Sequence, residues 1–136
     1  MHTVLVVEDD RALRTLMVRT LSEKGYRVVE ASDGDALIDT LAEALCPDQT
    51  GAAFDLILSD IRMPQFSALD VLVGARRFIG DIPVVLMTAF GDPSTHERAR
   101  RRGAAVVLNK PVKLSELCAT VARVLAAKAG PPWPPS

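Results

Sequence analysis

The chain carries almost no excess charge of either sign: 16 lysines and arginines stand against 17 aspartates and glutamates, a formal net charge of −1 over 136 residues. Binding to nucleic-acid phosphates or to anionic lipid draws on a surplus of positive charge, so neither is expected. Long apolar runs are missing as well. The longest, Ala104 to Leu108, has five residues, whereas a membrane-spanning helix needs about 20. The opening MHTVLVVEDD has no basic segment ahead of an extended apolar one, which argues against a secretory leader and for a cytoplasmic location. Cysteine is scarce. Cys46 and Cys118 lie far apart and make no CxxC pattern, so ordinary reduced thiols are expected. His2 and His96 have no neighbours at metal-ligand spacing, which disfavours a zinc site. Internal repeats are absent.

What remains is an ordinary globular composition, 49% hydrophobic and 24% charged, at a length typical of one domain. Short apolar runs at Thr3 to Val7, Tyr26 to Ala31, Phe54 to Ser59, Ile82 to Met87 and Ala105 to Leu108 alternate with amphipathic stretches. That alternation predicts an α/β fold of parallel strands joined by crossover helices. Most runs are nearly continuous, as strands covered on both faces should be. The first helix is expected to begin after Asp10 as N-cap, to pack Leu13, Leu16, Met17 and Leu21 on the sheet, and to stop at Gly25. Leu37, Leu41 and Leu45 form the stripe of the second helix, Ser67 and Asp70 resemble a capping box for the third, and Leu114, Leu117, Cys118, Val121 and Leu125 mark the last.

The fourth helix differs. After Asp92 as N-cap and Pro93 in the first turn, it runs from Ser94 to Arg102 with Ala99 as its only aliphatic residue, so it has little to bury and is the segment expected to move. Its Arg98, Arg100, Arg101 and Arg102 suit the carboxyl end of a helix dipole and a solvated surface, with an acidic docking partner as the alternative. Cys46 to Ala53 reads as a loop. A domain over 1–127 is expected to be followed by a Pro-rich tail or linker stump over 128–136.

In open parallel sheets ligands bind beyond the carboxyl ends of the strands, where the strand order reverses. The polar groups of this chain fall at those ends: Glu8, Asp9 and Asp10 after the first run, Asp60 after the third, Thr88 after the fourth, and Asn109, Lys110 and Pro111 after the fifth. Capping or chance would scatter them over both edges. Clustered carboxylates repel, by about 4 kcal/mol for two unit charges 4 Å apart at an effective dielectric near 20, so positive charge must sit among them. A hard divalent cation with oxygen ligands, Mg²⁺, suits Glu8, Asp9 and Asp60 better than zinc does. With Lys110 beside it the site approaches neutrality and can admit a phosphoryl dianion, for which an aspartate is a known nucleophile.

The ordered motifs VLVVEDD, LSDIRMP, VVLMTA and NKP, spread over residues 3–127, resemble the receiver domain of bacterial two-component response regulators. The resemblance implies a flavodoxin-like, doubly wound five-stranded parallel sheet of order 2-1-3-4-5 with five helices. It further implies a phosphorelay role: Asp60 as phosphoacceptor, Glu8 and Asp9 as the acidic pair binding Mg²⁺, Arg62 lending a backbone carbonyl to the metal, and Thr88 and Lys110 contacting the phosphoryl group. The Lys110–Pro111 bond is cis in the family. Expected partners are a sensor histidine kinase or histidine phosphotransfer protein, a downstream protein target, and a second copy in a phosphorylation-dependent homodimer. The chain departs from the family pattern at three places. Val107 stands where a switching Tyr or Phe is usual, Gln65 and Ala68 replace two glycines after Met63 and Pro64, and the loop around Cys46 to Ala53 is long. The switch region is therefore expected at Thr88, Phe90, Val107 and the fourth helix.

Two rivals belong to other classes. A dehalogenase-type phosphatase also uses an aspartate after a strand, but Asp-x-Asp marks it, and Arg62 occupies the second position here. A receiver-like module that is never phosphorylated is disfavoured by the intact Glu8, Asp9, Asp60, Thr88 and Lys110. The preferred reading is a signalling module, not an enzyme, that catalyses only its own phosphorylation and dephosphorylation. It is either a stand-alone receiver or part of a longer regulator.

Overall fold

Apolar residues at consecutive positions of one strand point to opposite faces of a sheet, and the first strand shows why this chain builds three layers. In a computed structural model, which describes residues 2–33, 35–37, 39–40, 54–63, 66–67, 82–89 and 93–128, strand β1 (Thr3–Val7) has Val4, Leu5, Val6 and Val7 all buried. Leu5 and Val7 join a core with Leu37 and Ala99 on one side, while Val4 and Val6 join Met17, Leu21, Leu117 and Val121 on the other. Helices therefore cover both faces.

The remaining elements are α1 (Arg11–Glu23), β2 (Arg27–Ala31), β3 (Leu56–Asp60), a small antiparallel pair β4 (Arg62–Met63) and β5 (Phe66–Ser67), β6 (Val84–Thr88), α2 (Pro93–Arg101), β7 (Val106–Asn109) and α3 (Leu114–Lys128). Residues 35–37 and 39–40 are helical too. The main sheet runs β2-β1-β3-β6-β7, with every adjacent pair parallel. Counting its five strands in chain order gives 2-1-3-4-5, the flavodoxin-like order expected from the sequence. Among the described residues no helix is long and apolar enough to cross a membrane.

Strand β1 coincides with its apolar run, whereas the other four sheet strands begin one or two residues later than theirs and three of them end one residue later. Tyr26, Phe54 and Ile82 enter the layer before the hydrogen-bonded ladder starts, and the ladder continues into polar residues, pairing Asp60 with Met87 and Thr88 with Asn109. Asp10 caps α1, its carboxylate accepting from Leu13 N at 3.1 Å. The helix ends where Gly25 turns at φ 92°, a left-handed conformation that costs other residues roughly 1 kcal/mol or more. Leu16 does not pack on the sheet as expected: it is 44% exposed, because its direction on the helix lies about 120° from the line between Met17 and Leu21 at 100° per residue. Ala99 is the one buried residue of α2. The third predicted helix, Leu41, Leu45, Cys46 to Ala53, Gln65, Ala68, Asp70, Phe90, Asp92 and the tail over 129–136 lie outside the described residues.

Candidate functional site

Four of the five sheet strands deliver a polar residue to the same edge. β1 ends at Val7, yet the next residue is still bound to the sheet: Glu8 N–H donates to the Ala31 carbonyl at 3.1 Å, and the Glu8 side chain is fully buried. Asp9 is exposed beside it. Asp10 turns into the helix cap while its backbone N–H donates to Glu8 Oε2 at 3.1 Å. Three consecutive acids thus take three places, buried in the site, at its mouth and on the helix.

Asp60 is the last residue of β3 and is buried, as is Thr88 at the end of β6. The backbone N–H of Ile61 donates to the Met87 carbonyl and that of Lys110 to the Thr88 carbonyl, at 2.8 and 2.7 Å. These bonds lock the strand ends to one another. From the loop after β7, Lys110 Nζ donates to Glu8 Oε1 at 2.7 Å and to Asp60 Oδ2 at 2.6 Å. The peptide bond after it, Lys110–Pro111, is cis. One ammonium therefore bridges carboxylates from β1 and β3, residues 102 and 50 positions away in sequence.

Burial raises the carboxyl of Glu8 above its ordinary value; the Lys110 hydrogen bond and the Asp10 N–H oppose this, while the acidic neighbours Asp9 and Asp60 add to it. Lys110 is affected first by burial, which pushes its ammonium down, but the hydrogen bonds and charges of Asp60 and Glu8 outweigh that and leave it raised. The two carboxylates accordingly favour the charged form of Lys110, while burial favours the neutral form of Glu8.

Carboxylate oxygens of Glu8, Asp9 and Asp60 all lie within 4.8 Å of one another. Such an all-oxygen donor set on a partly open rim suits a hard cation that keeps several waters, so the residues present fit Mg²⁺. Of the other expected site residues, Arg62 lies in β4 two positions past Asp60, paired with Ser67, and Val107 is buried in the core on one face of the sheet. Phe90 falls outside the described residues.

Two contacts escaped the sequence reading. Arg14 Nη1 donates to the Glu8 carbonyl at 2.8 Å and its Nε to Glu30 Oε1 at 3.0 Å. The available signal was position: Arg14 lies one turn after Asp10, hence above it on the helix surface. His96 Nε2 pairs with Asn109 Oδ1 at 2.7 Å, joining α2 to the residue before Lys110.

The response regulator receiver domain family matches residues 4–122 of the chain. Among curated relatives, the response regulator protein FleR of Pseudomonas aeruginosa is 38% identical over 120 residues, covering 88% of this chain and 24% of FleR. The transcriptional regulatory protein ZraR of Klebsiella oxytoca is 33% identical over 123 residues, covering 90% of this chain and 26% of ZraR. The chain thus spans about a quarter of the length of these relatives. Among solved structures, the chemotaxis response regulator CheY4 of Vibrio cholerae is similar with a TM-score of 0.77 at 30% identity, covering 91% of this chain and 98% of CheY4. A two-component response regulator from Clostridium difficile shares the fold with a TM-score of 0.83 at 21% identity, covering 96% of this chain and 100% of that one.

Proposed function

Because the chain belongs to the response regulator receiver domain family, we propose that it is the phosphoacceptor module of a two-component system. On this reading it takes a phosphoryl group from a sensor histidine kinase or histidine phosphotransfer protein onto Asp60 and thereby switches the binding of a downstream protein, a second copy included. The observation that supports this most directly is the Lys110 bridge between Glu8 and Asp60 at the carboxyl edge of the sheet.

In the reaction, an Asp60 carboxylate oxygen forms the new O–P bond as the P–N bond to the donor's imidazole breaks, and the imidazole nitrogen keeps the electron pair. Asp60 starts the step hydrogen-bonded to Lys110, at the end of a strand fixed by neighbours on both sides. Lys110 supplies an ammonium at the point where the acyl phosphate brings added negative charge. Thr88, buried on the adjacent strand, supplies a hydroxyl to a phosphoryl oxygen. Glu8, Asp9 and Asp60, with the Arg62 backbone carbonyl as a further ligand, would hold Mg²⁺, which when bound would supply the positive charge that lets a dianion approach the acidic cluster. Glu8 and Asp9 hold that cation, and Glu8 also anchors Lys110. The chain acts on itself and not on a soluble substrate, in the cytoplasm, and its near-zero net charge gives direct nucleic-acid binding no part in the account.

The test is metal-dependent labelling. Acetyl phosphate in millimolar Mg²⁺ is expected to phosphorylate the chain, and EDTA to suppress it; full labelling in EDTA would contradict the proposal.

A further inference from the structure

The corner between β1 and α1 presents the acidic pair, and two backbone hydrogen bonds fix its ends. Glu8 N–H is bound to the Ala31 carbonyl, and Arg14 N–H donates to the Asp10 carbonyl at 2.8 Å as the first turn of the helix. Between these points the Glu8 carbonyl has left the strand ladder and not yet entered the helix. It is taken up by Arg14 Nη1 at 2.8 Å.

A peptide group is planar, so fixing the Glu8 carbonyl also fixes the Asp9 nitrogen and Cα. Asp9 is exposed, and packing does little to direct its side chain; the backbone sets where its carboxylate starts. Arg14 is itself pinned. Its side chain is 15% exposed, and its Nε donates to Glu30 Oε1 at 3.0 Å from an exposed site on β2. Glu30 stands in register with Val6, two residues before Glu8. The guanidinium therefore ties the second strand to the corner that carries Glu8 and Asp9. A half-exposed ion pair contributes little stability by itself, whereas a planar fork that satisfies two acceptors at once fixes direction.

We propose that Arg14 is a positioning residue for the acidic pair, holding the Glu8–Asp9 peptide in place against β2 and so setting the affinity of the site for Mg²⁺. The inference rests on the reading of this edge as a Mg²⁺-dependent phosphoacceptor site and adds a residue outside the ligand set. Outer partners that orient metal ligands typically alter affinity by about 10- to 100-fold.

The experiment uses the full chain and Mg²⁺ alone as probe, with calorimetric titration of wild type, Arg14→Ala, Arg14→Lys and Glu30→Gln. Arg14→Ala is expected to raise the Mg²⁺ Kd about tenfold, at the lower end of that range. Arg14→Lys recovers part of the loss, since one ammonium reaches one of the two acceptors. Glu30→Gln, a change at an exposed residue that leaves folding intact, raises the Kd about threefold by freeing the guanidinium, a fraction of the outer-partner effect. With acetyl phosphate as donor, the Mg²⁺ concentration for half-maximal rate rises in parallel, while the rate at saturating Mg²⁺ stays within about twofold of wild type, because the reacting groups are untouched. That split separates positioning from a loss of general stability. Kd values within twofold of wild type for both Arg14→Ala and Glu30→Gln would overturn the proposal, and if Arg14→Ala fails to fold, Glu30→Gln decides it. A wild type that binds no Mg²⁺ would instead overturn the reading beneath it, and the inference with it.

Discussion

Replacing Lys110 with methionine keeps much of the side-chain volume and removes the ammonium that bridges Glu8 and Asp60. Both carboxylates are buried, Glu8 at 0% and Asp60 at 7% exposure, and the Lys110 side chain is only 20% exposed. With carboxylate oxygens of the cluster inside 4.8 Å, two unit charges at that separation repel by about 3.5 kcal/mol at an effective dielectric of 20. Removing one partner of a buried pair costs about 3 to 5 kcal/mol; partial exposure of Lys110 places the expected loss near the lower end, about 3 kcal/mol. For a domain of this size that lowers Tm by roughly 10 °C. The assay is thermal melting in EDTA at neutral pH, repeated with millimolar Mg²⁺ and at acidic pH. Mg²⁺ should restore more stability to Lys110→Met than to wild type, because it replaces the missing charge, and acidification should narrow the gap as Glu8 takes up a proton. A variant that melts within about 2 °C of wild type in EDTA, with an equal response to Mg²⁺, would refute the assignment of Lys110 as the neutralising group.

The pH dependence without metal follows from Glu8, whose folded carboxyl lies above its ordinary 4.5. A raised acid contributes stability that is fully present below 4.5 and lost as pH rises through the folded value, so urea midpoints of wild type should decline over that window more steeply than those of Glu8→Gln; equal slopes would count against it. Loss of phosphate from Asp60 should be slow, because Arg62 cannot act as a base and the Phe90 ring offers no hydrogen bond to water. The double variant Arg62→Asn with Phe90→Glu should lose it faster, and an unchanged or slower rate would reject that account. Switching should run through the segment after Thr88 and through α2, since Val107 has no ring to turn inward. Hydrogen exchange with and without a phosphoryl mimic should change most between Ala89 and Gly103, and a flat profile there would exclude this route.

The edge that holds the site was legible because strand ends and apolar runs are both visible in sequence, and Glu8, Asp60, Thr88 and Lys110 each follow such a run. The exact ends were not. Apolarity stops at Ser59 and Met87, but the hydrogen-bonded ladder does not, and it carries Asp60 and Thr88 into the sheet as buried polar residues. Leu16 misled for a related reason: spacing by three and four residues marks a helical stripe without stating its width, and Leu16 sits beyond the edge of this one. Arg14 could not be distinguished from a solvated arginine on a helix, since its role depends on a backbone carbonyl and on a glutamate 16 residues away. His96 is similar. Its partner Asn109 is reached only because α2 packs beside the end of β7.

The central claim, that Asp60 is the phosphoacceptor, is tested most directly by intact-mass spectrometry of wild type and Asp60→Asn after incubation with acetyl phosphate and Mg²⁺. The account predicts a single phosphoryl mass on wild type, mapped by peptide analysis to Asp60, and none on Asp60→Asn. A variant that still gains one phosphoryl group, or a wild type whose phosphoryl group maps to another residue, would contradict it.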